Sequence, residues 1–448
     1  MSRISPHNNL RSKTDHMTLL VIFYSWYAKL LIQLVRLTGS GSGTSIGGWF
    51  GEKYLPFIVS YYNRRYKKIV FISGTNGKTT TRSLINHFLT SGGRTVCSNL
   101  GGANIYRGIV TSLLNDTKLF GGVRSRYLVL EVEEATLPRL SKYLRPDILV
   151  LTNIFRDQLD AYGEIDTTLK YFKTAISQTE PIVVVNADDD KLVSTLESLP
   201  VQEVFGFSVI DKEKIKFEPH DEHPKVTYAE IISIQTTQGN LVSIQSNTDL
   251  HMLSTSCTQL PGTYNLYNIV AAATTVNRLL DGWEFFDALK TYKPAFGRGE
   301  SIQYNNRTIE LFLVKNPAGY DSVLHHITKT YDQASTSIVF ALNDKIADGK
   351  DVSWIWDVDF ENFHANFEPK NIYTYGTRTY DMLLRLNVAG YSVVTADARQ
   401  TIKELFADNR TKNETIVIMA TYTALLDIRK KLGEIIPGFV SNISKQGN

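Results

Sequence analysis

The sequence predicts an α/β protein with a central P-loop domain on a parallel sheet and a C-terminal Rossmann-like α/β domain. Three observations predict it. From about Lys67, strand-like runs at Ile69–Ile72, Tyr127–Val132, Ile148–Thr152 and Ile182–Asn186 alternate with helical patterns such as Thr80–Thr90 and Thr167–Ser177. That is the rhythm of parallel strands covered by helices. A glycine-rich turn, Ser73-Gly-Thr-Asn-Gly-Lys-Thr-Thr80, joins the first of these strands directly to the first helix. After Arg298 the alternation restarts at Glu310–Val314, Ser337–Leu342, Ile372–Tyr375, Ser392–Thr395 and Thr415–Ala420, which suggests a second open sheet.

The elements divide into an N-terminal tail, apolar helix and glycine-rich link over 1–48, a central ATP-binding domain over 49–299 and the C-terminal domain over 300–448. Between Phe207 and Leu260 the rhythm gives way to short β-branched pieces and polar turns, read as antiparallel or irregular. A helical pattern resumes at Tyr264–Leu280. The link Gly39-Ser-Gly-Ser-Gly-Thr-Ser-Ile-Gly-Gly48 reads as too flexible for the interior of an element.

Composition narrows the function classes. Lys and Arg number 48 against 45 Asp and Glu, a net charge of +3, which argues against a dedicated nucleic-acid binder. The two cysteines, Cys97 and Cys257, lie far apart. A disulfide framework or zinc ribbon is excluded, and two free thiols in a reducing cytosol is the reading. Met17–Ala28 is an apolar run of twelve residues closed by Lys29, short of the roughly 20 needed to span a bilayer. It reads as a docked amphipathic helix, with a membrane-surface helix as the alternative and the sixteen preceding residues disordered.

The chemistry is concentrated after the strands. In Ser73–Thr80 the glycines let successive backbone N–H groups, Gly74, Thr75, Asn76, Gly77, Lys78, Thr79 and Thr80 among them, converge on phosphate oxygens at a helix N-terminus. Lys78 is placed to reach the β- and γ-phosphates of ATP, and the Thr79 hydroxyl to ligate magnesium. Ile72 occupies the position of the usual first glycine, and the structural alternative is a tight turn with a helix cap at Thr79. Glu131 and Glu134, at the end of the strand Tyr127–Val132, are candidates to hold magnesium on the triphosphate. Thr152-Asn-Ile-Phe-Arg-Asp-Gln-Leu-Asp160 brings Arg156 and Asp157 to the same sheet edge. Tyr264-Asn-Leu-Tyr-Asn268 and Phe296-Gly-Arg298, read alone, are a helix start and a linker turn.

Together these pieces resemble the Mur-ligase superfamily, whose central domain carries a G-T-N-G-K-T loop, a strand-end glutamate, a T-N-x-x-R-D-x-L-D stretch, an N-x-x-N helix and a G-R linker. The resemblance implies phosphorylation of a carboxylate by ATP, then attack by an amine on the acyl phosphate. It also implies nucleotide contacts from Asn268 and Arg298. Gln158 stands where many members have a magnesium-binding histidine, and Lys173 lies one position from a lysine that some members carbamylate, so neither is given a role.

The P-loop begins at Ser73, which leaves no room ahead of it for a separate sugar-nucleotide domain. Lys315-Asn-Pro-Ala-Gly319, the run Leu342–Glu361 containing Ala347-Asp-Gly-Lys-Asp-Val-Ser-Trp-Ile-Trp356, Gly376-Thr-Arg378 and Ala420-Thr-Tyr-Thr-Ala-Leu-Leu426 resemble the MurT family, from about Gln33 to Leu432. That resemblance implies ATP-dependent amidation of the D-glutamate α-carboxylate of lipid II, in peptidoglycan synthesis. It implies a GatD-type class I glutaminase partner in a heterodimer that supplies ammonia, and a cytoplasmic chain at the inner face of the plasma membrane. It gives Asp351 a catalytic part in completing the partner's triad; from residues alone, Asp348 and Asp351 read as caps ahead of Val352–Trp356. Many MurT chains carry a four-cysteine zinc ribbon, but residues 208–256 hold no cysteine, and His220 and His223 read as part of a solvated loop. No structural zinc is expected. Two alternatives stay open: a folylpolyglutamate-synthase-like ligase acting alone, and a non-catalytic nucleotide-binding scaffold.

Overall fold

The computed structural model describes residues 6–37, 46–99, 103–155, 164–196, 199–210, 226–236, 239–246, 249–258, 260, 262–294, 297–392, 414–437 and 439. Two compact units emerge. One comprises 1–154, 163–259 and 266–292; the other comprises 155–162, 260–265 and 293–448. The N-terminal segment is counted with the first unit, and the main break falls at Lys293.

In the first unit β1 (Lys68–Ser73), β2 (Val96–Ser98), β3 (Tyr127–Glu131), β4 (Ile148–Leu151), β5 (Ile182–Asn186), β6 (Glu203–Ile210), β7 (Val226–Thr236), β8 (Gly239–Ser246) and β9 (Asp249–Thr258) form one sheet in the order β2-β3-β1-β4-β5-β6-β7-β8-β9. The pairings from β2 to β7 are parallel and the last two are antiparallel. The 207–260 region is thus a continuation of the main sheet whose outer hairpins reverse direction. Helices α1 (Pro6–Leu37), α2 (Ile46–Tyr54), α3 (Lys78–Ser91), α4 (Tyr106–Asp116), α5 (Leu137–Ser141), α6 (Glu164–Thr179), α7 (Asp190–Leu196) and α8 (Thr263–Leu280) accompany it.

Two expectations are corrected. The helix begins at Pro6, not after residue 16, with proline at the first turn where its missing N–H is harmless. Gly47 and Gly48 lie inside α2, not in a flexible link. A Cβ on Gly48 would stand 1.8 Å from the Arg107 carbonyl oxygen of α4, so glycine is what lets the two helices approach. The rest of that link, 39–45, lies outside the described residues. α1 also continues past Lys29, and His16–Leu34, nineteen residues, is long and apolar enough to cross a membrane by length and composition.

The second unit carries β10 (Arg298–Tyr304), β11 (Arg307–Leu313), β12 (Thr336–Ala341), β13 (Asn371–Tyr375) and β14 (Thr415–Ala420), in the order β10-β11-β14-β12-β13. Helices α9 (Pro317–Thr330), α10 (Phe360–Asn366), α11 (Thr379–Val388) and α12 (Tyr422–Ile435) cover it. Apart from the antiparallel edge strand β10, the pairing is parallel. Period-two alternation sends Ile338, Phe340, Val417 and Met419 into one core, and Val339, Ala341, Ile416 and Ile418 into another. The expected strand at Ser392–Thr395 falls almost wholly outside the described residues.

Glu310 breaks the apolar pattern of β11. It is buried, and desolvation pushes its carboxyl up from 4.5 to about 7 against a hydrogen bond from Ser301. A raised carboxyl binds its proton more tightly folded than unfolded. Its contribution to stability is therefore present below 4.5 and is lost as pH rises through 7. Glu310→Gln, fixed neutral, should flatten the fall in unfolding temperature of this unit as pH rises from 4.5 to about 7. Thermal melts across that range, wild type against variant, check it.

Candidate functional site

β1 lies between β3 and β4, the place where strand order reverses and where ligands collect outside the carboxyl ends of parallel strands. Ile72 pairs with Glu131 and Ser73 with Leu151. One register therefore brings the P-loop, the strand-end glutamate and Thr152-Asn153 to a single edge.

The loop is strapped to the end of β4. The Thr75 N–H donates to the Asn153 carbonyl at 3.0 Å, and the Asn76 N–H to Asn153 Oδ1 at 2.9 Å. Thr152 Oγ1 and Asn153 Nδ2 both donate to the Asn76 carbonyl, at 2.7 and 3.1 Å. Gly74 at φ +126° and Gly77 at φ +87° occupy backbone that side chains rarely adopt. Gly77 caps α3, whose first N–H groups and dipole suit an anion. Asn268 on α8 sits against this cap, with Oδ1 accepting from Thr81 at 3.3 Å.

The two glutamates part company. Lys78 donates to the Gly74 and Thr75 carbonyls and pairs with Glu134 at 2.7 Å. Thr79 Oγ1 donates to Glu131 Oε2 at 2.8 Å, and Asn104 Nδ2 to Glu131 Oε1 at 3.2 Å. Arg82 Nε stands 3.6 Å from Glu131. Burial pulls the Arg82 guanidinium below its usual value, opposed by Glu131. Glu131 and Lys78 are buried, as is Thr80. A hydroxyl and a desolvated carboxylate at a helix N-terminus suit magnesium, which takes one or two protein ligands and fills its octahedron with water and phosphate oxygens. Among the described residues no group of three or more His, Cys, Asp or Glu gathers, so the locus offers a cation two protein donors and no cage.

In the second unit, three of the quoted motifs meet at the carboxyl edge of the sheet. Asn343, after β12, accepts from the Thr377 N–H at 2.8 Å, and its own N–H donates to Thr421 Oγ1 at 3.0 Å. Gly376, after β13, is at φ +108°, and a Cβ there would lie 2.2 Å from the Leu342 carbonyl oxygen. Asp348 accepts from the Thr423 N–H at 2.7 Å and from its hydroxyl, so it ties the loop to the start of α12 and does not cap the following turn. Asp351 is exposed and accepts from the Ser353 N–H at 2.8 Å. The turn after it, Ser353–Asp357, is held by buried Arg385, which donates to the Ile355 and Val358 carbonyls and takes both Glu361 oxygens at 2.7 Å. Arg298 opens β10 in this unit, where its charge acts on Tyr264.

Comparison with known proteins was decisive. The Mur ligase middle domain family matches residues 72–276, and the MurT ligase C-terminal family matches 313–425. The Streptococcus pneumoniae protein named lipid II isoglutaminyl synthase (glutamine-hydrolyzing) subunit MurT is 29% identical over 431 residues, covering 88% of this chain and 94% of that protein. The chain carries a Mur ligase middle domain followed by a MurT ligase C-terminal domain. A Staphylococcus aureus MurT subunit is 28% identical over 92% of this chain and 97% of its own. Among solved structures, MurF of Acinetobacter baumannii aligns with TM-score 0.65 at 16% identity, covering 85% of this chain and 79% of that one. MurF of Thermotoga maritima in complex with ADP aligns with TM-score 0.61 at 17% identity, covering 84% and 81%. At those identities the likeness is one of fold, and the fold is that of a Mur ligase.

Arg156, Asp157, Gln158, Phe296, His220 and His223 lie outside the described residues. Sequence reasoning missed Asn104, Asn153 and Arg82 as parts of the site. Asn153 carried a signal, since it follows a strand paired with the P-loop strand; Asn104 and Arg82 become visible only once tertiary contacts place them on Glu131. Gly74→Ala should destabilise the first unit by about 2 kcal/mol or more, because the new Cβ would lie 2.3 Å from Thr152 Oγ1 and 2.8 Å from the Asn153 carbonyl oxygen. Chemical denaturation of the variant checks this.

Proposed function

We propose that the chain is the ligase half of a glutamine-dependent enzyme that amidates the α-carboxylate of D-glutamate in the lipid II stem peptide, giving D-isoglutamine at the expense of ATP. The observation that carries this reading is the conjunction of an intact phosphate loop with a MurT-type C-terminal unit in one chain. The folate-type and scaffold alternatives account for the loop or for the C-terminal unit, not for both.

In this reading the backbone N–H groups of Gly74–Thr80 and the Lys78 ammonium hold the β- and γ-phosphates, with Asn268 and Arg298 as further nucleotide contacts. Thr79 and Glu131 hold magnesium, Glu134 stands by through Lys78, and the ion offsets charge on the triphosphate oxygens when bound. An oxygen of the substrate carboxylate attacks the γ-phosphorus and ADP leaves. Ammonia then attacks the acyl carbon, inorganic phosphate leaves, and a proton is lost to give the amide. Lys78 moves from Glu134 to follow the transferring phosphoryl group, a charge that develops where the lysine is already aimed.

Ammonia comes from a GatD-type class I glutaminase bound as a heterodimer. Asp351, exposed and held in a local turn, supplies the carboxylate that orients the partner's base. The chain works in the cytoplasm at the inner face of the plasma membrane, where lipid II is held, and carries no structural zinc.

The enzyme pair with ATP, glutamine and lipid II should give a product lighter by about one mass unit, the exchange of OH for NH2 at a carboxylate. Extension of folate by glutamate instead would overturn the reading. The two half-reactions should also separate. Loss of the orienting carboxylate in a serine-protease triad costs on the order of ten-thousand-fold, so Asp351→Asn should depress glutamine-driven amidation severely. Free ammonia at high concentration should restore it, whereas Lys78→Ala should stay inactive with either nitrogen source. Failure of ammonia to rescue an assembled Asp351→Asn complex would remove Asp351 from the glutaminase.

A further inference from the structure

Helix α1 is apolar on two opposite faces, and the fold uses only one of them. Val21, Tyr24, Ala28 and Ile32 are buried, with the Tyr24 hydroxyl donating to the Gly47 carbonyl and accepting from the Gly51 N–H. On the other side Leu19, Phe23, Trp26, Tyr27, Leu30 and Leu34 form a stripe at helical spacing, with Phe23 62% and Leu30 57% exposed. Only 28% of the apolar stretch in His16–Leu34 is buried, so the core takes one face of the helix and leaves the other uncovered.

The stripe continues onto its neighbours. The Trp26 indole N–H donates to the Leu119 carbonyl at 2.9 Å, which sets the tip Leu119-Phe120 beside the helix, with Phe120 81% exposed. On the other flank the Tyr24 ring lies tilted against Phe50 at 5.8 Å and Phe50 against Tyr54 at 4.9 Å, while exposed Trp49 lies 6.3 Å from Tyr54. Tryptophan, tyrosine and phenylalanine concentrated on one surface are the composition of a membrane interface belt. Monomeric proteins rarely expose so continuous an apolar surface without a use for it.

Charge decides what covers it. Residues 1–68 contain ten Lys and Arg and two Asp and Glu, a net +8, while the whole chain nets +3. The rest of the chain is therefore acidic overall. Lys53 lies over the Trp49 and Tyr54 rings, at 5.4 and 5.2 Å, and exposed Lys118 precedes Leu119-Phe120. Lys53 and Lys118 beside an aromatic-rich apolar face, in a segment that is basic overall, match an anionic bilayer surface, where basic groups contribute attraction and the apolar residues enter the headgroup boundary.

We propose that the exposed face of α1, with α2 and the 119–120 tip, is a membrane-docking surface that lies flat on anionic lipid. The helix does not span, because its opposite face is core of the first unit. This rests on the proposed function only in giving a reason for docking, namely access to a lipid-linked substrate; the surface itself is argued independently.

The test is flotation of the complex with its glutaminase on phosphatidylcholine vesicles, with and without phosphatidylglycerol and without lipid II. The wild type should float with the anionic vesicles, and raising the salt should weaken binding. The triple variant Phe23→Ser, Leu30→Ser, Phe120→Ser should lose roughly a hundred-fold in vesicle affinity. Its melting temperature and its amidation of a short-chain, water-soluble lipid II should be unchanged. No flotation of the wild type, undiminished flotation of the variant, or loss of the glutaminase from the variant complex would each overturn the proposal, the last because a protein partner would then cover this face. Since the vesicles carry no lipid II, failure here leaves the amidation reading standing, and failure of amidation leaves the docking result intact.

Discussion

The first unit's site depends on β1 lying between β3 and β4 in parallel register. Because Ile72 faces Glu131 and Ser73 faces Leu151, three chain segments far apart in sequence end at one edge. Shifting that register by one residue would turn Glu131 to the other face of its strand and separate Thr79 from the carboxylate. The glycines then do what the register requires: they let the loop turn back against Thr152 and Asn268 in space no side chain could share.

The second unit solves a similar problem with other means. Its motif residues act on one another: Asn343 bridges the loops after β13 and β14, and Asp348 fastens its own loop to Thr423. With these bonds in place the segment that follows is anchored at both ends, by Thr423 before Asp351 and by Arg385 after it. An exposed carboxylate on so constrained a turn has little conformational freedom left to lose.

Much of this was legible in the sequence. Strands read as near-continuous apolar runs because both faces of a parallel sheet are buried, so β1, β3, β4, β5, β12 and β14 announce themselves. The P-loop was legible because its glycines and lysine are contiguous. What escaped reading depends on contacts between distant segments. Gly47 and Gly48 look like linker until Ile32 and Ala28 are placed against the first and the Arg107 carbonyl against the second. β10 alternates weakly because it is an edge strand. Glu131 and Glu134 look alike in sequence, and only the fold gives one to Thr79 and the other to Lys78. From residues alone Asp351 reads as a turn residue, and the fold adds to it the bond from the Ser353 N–H.

The Lys78–Glu134 pair has a consequence for how the nucleotide arrives. Lys78 is buried, and a buried ammonium without a counter-charge would be poorly solvated. Glu134 supplies that counter-charge at 2.7 Å. On the proposed role, binding is then an exchange of ligands: one anionic oxygen ligand of the lysine departs as another enters. The displaced carboxylate does not leave the neighbourhood. It remains on the loop after β3, a ready ligand to which the lysine returns when the phosphate goes.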